Sequence, residues 1–113
     1  MDIYGIKNCD TMKKALRWLD GHAVAYRFHD FKKEGLAPEK LLQWVDAVGW
    51  ERLLNRRGMM WRKLDPATRD NIDRESAIEV MLQTPTIIKR PVLEYDGQVE
   101  VGFSEARYQA LFG

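Results

Sequence analysis

The stretch IYGIKNCDTMKKALRWL, residues 3–19, changes its period halfway along. Ile3, Tyr4 and Ile6 form a short β-favouring run that the polar KNCD closes. From Thr11 onward Met12, Ala15, Leu16 and Leu19 recur at three- and four-residue spacing, while Lys13, Lys14, Arg17 and Asp20 take the other face. That spacing predicts an amphipathic helix ended by Gly21. Cys9, the only cysteine of the chain, falls in the turn between strand and helix.

Working outward, AVAYRFHDF (23–31) reads as a second strand, with Val24, Tyr26 and Phe28 alternating against Ala25, Arg27 and His29. Strand, helix and strand within about thirty residues make a βαβ unit. After KKEG the pattern turns helical: Pro38 sits where a first-turn proline is tolerated, and Leu41, Leu42, Val45 and Val48 make an apolar stripe up to Gly49. WERLLNRRG adds a short helical turn, and Asp73 caps a further helix with Ala77, Ile78, Met81 and Leu82 inward. TIIKRPVLEYDGQVEVGF (86–103) reads as strand, break, strand, turn, strand, because Asp96-Gly97 is a strong hairpin signal. SEARYQALFG closes as a helix capped by Ser104. Trp18, Trp44 and Trp50 are expected at interhelical contacts, and Met59 and Met60 beside Trp61 as packing material. The order β-α-β, helices, β-β-α predicts a single α/β domain over 1–113 with a helical insertion at approximately 37–84.

The totals exclude several classes. A chain of 113 residues, 45% hydrophobic and 31% charged, is long enough for one sizeable core and too apolar for a disordered tail. Eighteen basic against seventeen acidic side chains leave a formal charge of +1, so no global field draws nucleic acid or a membrane surface, and neither is expected as a partner. No apolar run approaches the roughly 20 residues that span a bilayer, and no basic-then-apolar leader opens the sequence. The expected address is the cytoplasm. GxGxxG, P-loop and HExxH motifs are absent, and His22 and His29 lack partners at metal-ligand spacing, so no metal and no tightly bound cofactor is expected.

One cysteine cannot make an internal disulfide, which leaves Cys9 either a small buried residue or a reactive thiol. A thiol at the first turn of a helix faces unpaired backbone N–H groups and the positive end of the helix dipole, and both favour thiolate. Its polar neighbours Lys7, Asn8, Asp10 and Thr11 argue against burial. Lys7 would lower the thiol pKa further, and Asp10 would oppose it if its carboxylate lies close. The X-Pro bond of RPVL is either cis, bringing backbone near the βα turn, or an ordinary strand-edge proline. The arginines of NRRG (55–58) and KR (89–90) are either surface charges or guanidinium forks for a carboxylate or oxyanion.

IYGIKNCDTMKKALRWL, LLNRRGMMWRKL, MLQTPTIIKRPVL and VGFSEA, in this order and over nearly the whole chain, resemble the ArsC (arsenate reductase) family, and most closely its YffB-type branch. The resemblance implies a thioredoxin-like fold interrupted by a helical insert, with Pro91 as its cis proline. It implies that Cys9 is the catalytic nucleophile and that Lys7, Asn8, Thr11, Arg56, Arg90 and Pro91 form the substrate-binding set. Arg90 matches one of three family arginines. A gapless match of LLNRRG puts Asn55 at the second, with Arg56 favoured over Arg57 to fill the role. Gly102 stands where the third would be, a departure that counts against arsenate as substrate.

The function implied is a glutathione-dependent thiol reductase: the Cys9 thiolate forms a mixed disulfide that an external thiol resolves, with glutathione as co-substrate and glutaredoxin as a further partner. A sibling branch, the Spx-type regulators, implies the alternative of an RNA polymerase-binding protein without turnover. That branch usually carries a CxxC switch, and Met12 occupies the second cysteine position here.

Overall fold

In the computed structural model, which describes all 113 residues, the chain runs β1 (Asp2–Gly5), α1 (Asp10–Gly21), β2 (Arg27–Asp30), α2 (Phe31–Glu34), α3 (Pro38–Val48), α4 (Trp50–Leu53), α5 (Met59–Arg62), α6 (Pro66–Asp70), α7 (Arg74–Gln83), a 3₁₀ turn (Pro85–Ile87), β3 (Val92–Tyr95), β4 (Gln98–Val101) and α8 (Glu105–Phe112). It divides into two compact units, Met1–Glu34 with Arg90–Gly113, and Gly35–Lys89. No helix is long and apolar enough to cross a membrane.

The first unit is built on one mixed sheet of order β2-β1-β3-β4. β1 pairs parallel with β2, Ile3 opposite Phe28, because α1 carries the chain back to the same end of the sheet. β1 pairs antiparallel with β3, Ile3 opposite Leu93, and β3 pairs antiparallel with β4 across the Asp96-Gly97 turn. Both turn residues have positive φ, 46° and 74°, which is what a two-residue hairpin of matching twist requires. The core is Ile3 and Leu93 from the sheet, Met12, Ala15 and Leu19 from α1, and Tyr108 from α8, all fully buried. Gly5 keeps α1 close to β1, since a Cβ there would collide with the Met12 side chain. Trp18 meets Tyr108 edge-on, an α1–α8 contact, and Glu100 accepts a two-pronged bond from Arg107 Nε and Nη2 at 3.1 and 3.0 Å that ties α8 to β4.

The second unit is helical throughout except for one antiparallel bridge, Leu54 with Ile88. Leu41, Trp44 and Val45 of α3, Leu53 of α4, and Ala77 and Met81 of α7 are its buried residues, with Leu54, Ile87 and Ile88 alongside. Asp73 and Ser76 close a reciprocal capping box at the start of α7, Asp73 Oδ1 accepting the Ser76 amide and Ser76 Oγ the Asp73 amide, both at 2.9 Å; such a cap is worth about 1 kcal/mol.

Two expected strands change. The second strand is paired only over Arg27–Asp30, not from residue 23: β1 runs from Asp2, which faces Arg27, and the last bond on this side is that of the Arg27 amide to the Met1 carbonyl at 2.9 Å. The segment expected as a strand before Arg90 is instead a 3₁₀ turn opened by Pro85, with extended pairing left only at Ile88. Met59 is 67% exposed and is not packing material.

Candidate functional site

The site begins with the register of β1 and α1. β1 ends at Gly5, three residues cross the sheet edge, and Cys9 becomes the N-cap of α1 with extended backbone, φ −134° and ψ 128°. Its carbonyl accepts the first helical bond, from Lys13 N–H at 2.9 Å, so its side chain stands at the open end of the helix. Sγ makes no short, well-directed cap bond. The amides of Met12 and Thr11 and the guanidinium of Arg90 nevertheless act on it as oriented positive charge.

Burial is the largest single influence on this thiol and pushes it up. The Met12 amide, the hydrogen-bonding capacity and charge of Arg90, and the Thr11 amide together outweigh burial and hold the thiol below its ordinary value. Cys9 is partly buried, so this is a thiol both favoured as anion and open to a partner.

Arg90 reaches the site from the opposite side of the sheet order. It precedes Pro91, the Arg90-Pro91 peptide is cis, and Pro91 leads directly into β3, the strand beside β1. The cis bond expected from the resemblance is therefore present. Pro91 in turn accepts the Gly102 amide through its carbonyl at 2.8 Å, which brings the residue after β4 next to the same corner.

The structure thus gathers Cys9, Thr11, Arg90 and Pro91. Lys7 and Asn8 are exposed and line an adjoining recess, and the cation that lowers the thiol is Arg90. Met12, at the position where a CxxC switch has its second cysteine, is fully buried in the core against Gly5. Arg56 belongs to the second unit, where its guanidinium lies over two indoles, 5.2 Å from the centre of the Trp50 ring and 5.7 Å from that of the Trp61 ring, a cation–π contact with each. Arg57 is exposed, and its amide donates to Asn55 Oδ1 at 3.2 Å. No three metal-ligating side chains cluster anywhere in the chain. The backbone N–H groups expected at the first turn of the helix are those of Thr11 and Met12, whereas the cation expected from Lys7 is supplied by Arg90.

Gly102 has φ +84°, left-handed backbone that L side chains rarely adopt, although space around it is open. Gly102→Arg is therefore expected to fit sterically yet lower stability by about 1–2 kcal/mol, read as a lower urea midpoint with unchanged slope. An unchanged midpoint would show that the segment after β4 relaxes at no cost.

With this geometry the chain matches the ArsC family model over residues 4–111, and it belongs to the ArsC family. An uncharacterised protein of Haemophilus influenzae is 44% identical over 110 residues, 97% of this chain and 96% of its own length. The solved structure of the YFFB (PA3664) protein is 51% identical, with a TM-score of 0.94 over 99% of this chain and 98% of that one. An arsenate reductase (ArsC) related protein from Brucella melitensis is 56% identical, with a TM-score of 0.83 over 98% of this chain and 92% of that one. The global transcriptional regulator Spx of Streptococcus agalactiae is 28% identical over 106 residues, 92% of this chain and 77% of its length. The α/β class and the thioredoxin-like architecture expected from the sequence are those of these relatives.

Proposed function

We propose that this protein is a glutathione-dependent thiol reductase in which Cys9 is the nucleophile. The observation that carries the reading is the convergence of the α1 N-terminal amides and Arg90 on the chain's only thiol. The Cys9 thiolate attacks one sulfur of an oxidised partner; the new S–S bond forms as the partner's own S–S bond breaks, and the departing thiolate leaves with the electron pair. With no second cysteine in the chain, a glutathione thiolate attacks the Cys9 sulfur of the mixed disulfide and expels the partner's remaining half as a thiolate, leaving Cys9 joined to glutathione; a second glutathione thiolate then attacks the glutathione sulfur, so that Cys9 leaves as thiolate and the two glutathiones depart as their disulfide. Arg90 stabilises the thiolate both before attack and after release, while Lys7 and Asn8 orient the bound partner.

The test is the reaction of the protein with oxidised glutathione, followed by intact mass as a function of pH. One glutathione adduct per chain is expected, with a rate that levels off below the ordinary thiol range near pH 8.5. A rate that rises only above that range marks an ordinary thiol and ends the reductase reading.

Arsenate is a poor substrate under this proposal. Gly102 offers no guanidinium to the developing oxyanion, and loss of one such preorganised donor costs roughly a hundredfold or more in comparable sites. Arsenate reduction with glutathione and glutaredoxin should therefore stay near background, and robust turnover would restore arsenate as the substrate.

The Spx relative supports a second reading, docking on RNA polymerase without turnover. Capture of polymerase subunits by wild type and by Cys9→Ser alike, with no glutathione adduct on the wild type, would favour it.

A further inference from the structure

Ile6, Lys7 and Asn8, the three residues before Cys9, line a half-open recess of about 190 Å³ together with Asp30, Lys32 and Lys33. Three lysines there meet a single carboxylate, and none of the three is held in an ion pair. Amide bonds orient the acidic groups of this corner without cancelling their charge: Asp30 Oδ1 accepts the Lys32 amide at 2.8 Å, and Glu34 Oε2 accepts the Asp30 amide at 3.0 Å while lying 3.6 Å from His29 Nδ1. Among the lining residues three ammonium groups face the one carboxylate of Asp30, so the recess carries a formal excess of positive charge. At roughly 30 Å³ per water in the liquid, the space holds several waters and admits a residue-sized arm ending in a carboxylate.

Its position fits a partner of the thiol. Lys7 is two residues from Cys9, and two Cα steps span at most about 7.6 Å, so a compound whose carboxylate lies a few bonds from its sulfur reaches the recess while that sulfur meets Sγ. Arg90 acts on the thiol itself, which leaves the lysines to read the partner.

We propose that this recess binds the carboxylate arm of a small disulfide or thiol, through Lys32 and Lys33 from α2 with Lys7, and so selects anionic partners for Cys9. The inference rests on the thiol-reductase reading and names the chemical class of its partner: a low-molecular-weight disulfide with a carboxylate near the S–S bond. In the exchange, the Sγ–S bond forms as the partner's S–S bond breaks, the outgoing half departs as a thiolate, and the carboxylate of the retained half stays against the ammonium groups.

The experiment compares Cys9 reaction rates with two probes, dithiobis(nitrobenzoate), whose arms each carry a carboxylate, and the uncharged dithiodipyridine. The quantity read is the ratio of anionic to neutral rate at fixed pH and low salt. In Lys32→Gln/Lys33→Gln this ratio should fall on the order of tenfold, the low end of electrostatic steering, and the difference should shrink in high salt. Lys14→Gln/Arg17→Gln removes the same charge from the exposed face of α1 and should leave the ratio near the wild-type value. An unchanged ratio in the recess variant, or an equal fall in both variants, overturns the proposal. Failure of the reductase reading shows elsewhere, as a wild-type rate with the neutral probe no faster than that of an ordinary thiol.

Discussion

Cys9→Ser is expected to form no glutathione adduct and to reduce disulfides only at background rate, while staying folded with an unfolding midpoint that, below the pH at which the folded thiol ionises, is equal to or above that of wild type. Loss of chemistry follows because the chain holds no second thiol and a serine hydroxyl does not ionise in the range where the Cys9 thiolate forms. Retention of the fold follows from the position. Cys9 is the N-cap of α1, with extended backbone and no cap bond of its own, and serine is among the preferred N-cap residues. The amides that now act on Sγ are those of Thr11 and Met12, the second and third helical residues, which are the donors an N-cap oxygen normally accepts from. The exchange should thus stabilise α1 by up to about 1 kcal/mol. Intact mass after incubation with oxidised glutathione reads the first effect and urea unfolding the second. Residual turnover would remove Cys9 from the mechanism, and a lower midpoint would make its sulfur a packing element instead.

The pairing of lost activity with retained stability has a structural logic. A helix start is normally closed by an oxygen that satisfies the first amides; here a sulfur stands in that place, and the amides are left to stabilise its charge. The cost in cap energy is the reason the thiol is available for chemistry.

That arrangement was legible in the sequence because the signals are local. The change from a β-favouring run to three- and four-residue spacing put Cys9 at a strand-to-helix turn, and α1 runs from Asp10 to Gly21 as the pattern required. Asp96-Gly97 marked the hairpin, and Asp73 and Ser104 marked helix starts that their side chains do cap, Ser104 Oγ accepting the Arg107 amide at 3.1 Å. Pro38 opened α3 at its first turn.

What was not legible depended on partners distant in sequence. Residues 23–26 alternate like a strand, but strand pairing is decided by β1, which supplies only four residues. Ile87 and Ile88 are apolar and β-branched, yet the chain there follows Pro85 and the bonds to the α4 end: Asn55 N–H donates to the Ile87 carbonyl at 2.9 Å and Lys89 N–H to the Leu53 carbonyl at 2.7 Å. α5 and α6, four and five residues long, have too few turns to show a period. At the site, Lys7 was the natural candidate for the cation beside Cys9 because it is two residues away; Arg90, eighty-one positions on, holds that place because β3 lies beside β1.

Arg90→Ala should therefore move the whole pH profile of Cys9 reactivity to higher pH. In the wild type, burial pushes the thiol up and is outweighed by the Met12 amide, Arg90 and the Thr11 amide; with the guanidinium gone, burial meets only the two amides. Loss of a hydrogen bond to a charged group is worth on the order of 1.5–3 kcal/mol, so alkylation at neutral pH should slow by roughly tenfold to a hundredfold. At alkaline pH, where both thiols are fully ionised, the variant's rate should reach or exceed that of wild type, because a less depressed thiolate is intrinsically the better nucleophile. Arg90→Lys should fall between them, keeping the charge and losing the planar fork. Stability follows the same linkage. A thiol held below its unfolded value stabilises the fold when ionised, a contribution fully present above the unfolded value and lost as pH falls through the folded one. The stability gap between wild type and Arg90→Ala should accordingly widen as pH rises through the folded thiol's titration. Iodoacetamide kinetics across pH, with circular dichroism at each point, measure both. A variant profile that drops in height without moving in pH would make Arg90 a structural support for the turn before β3 and leave the thiolate to the α1 amides alone.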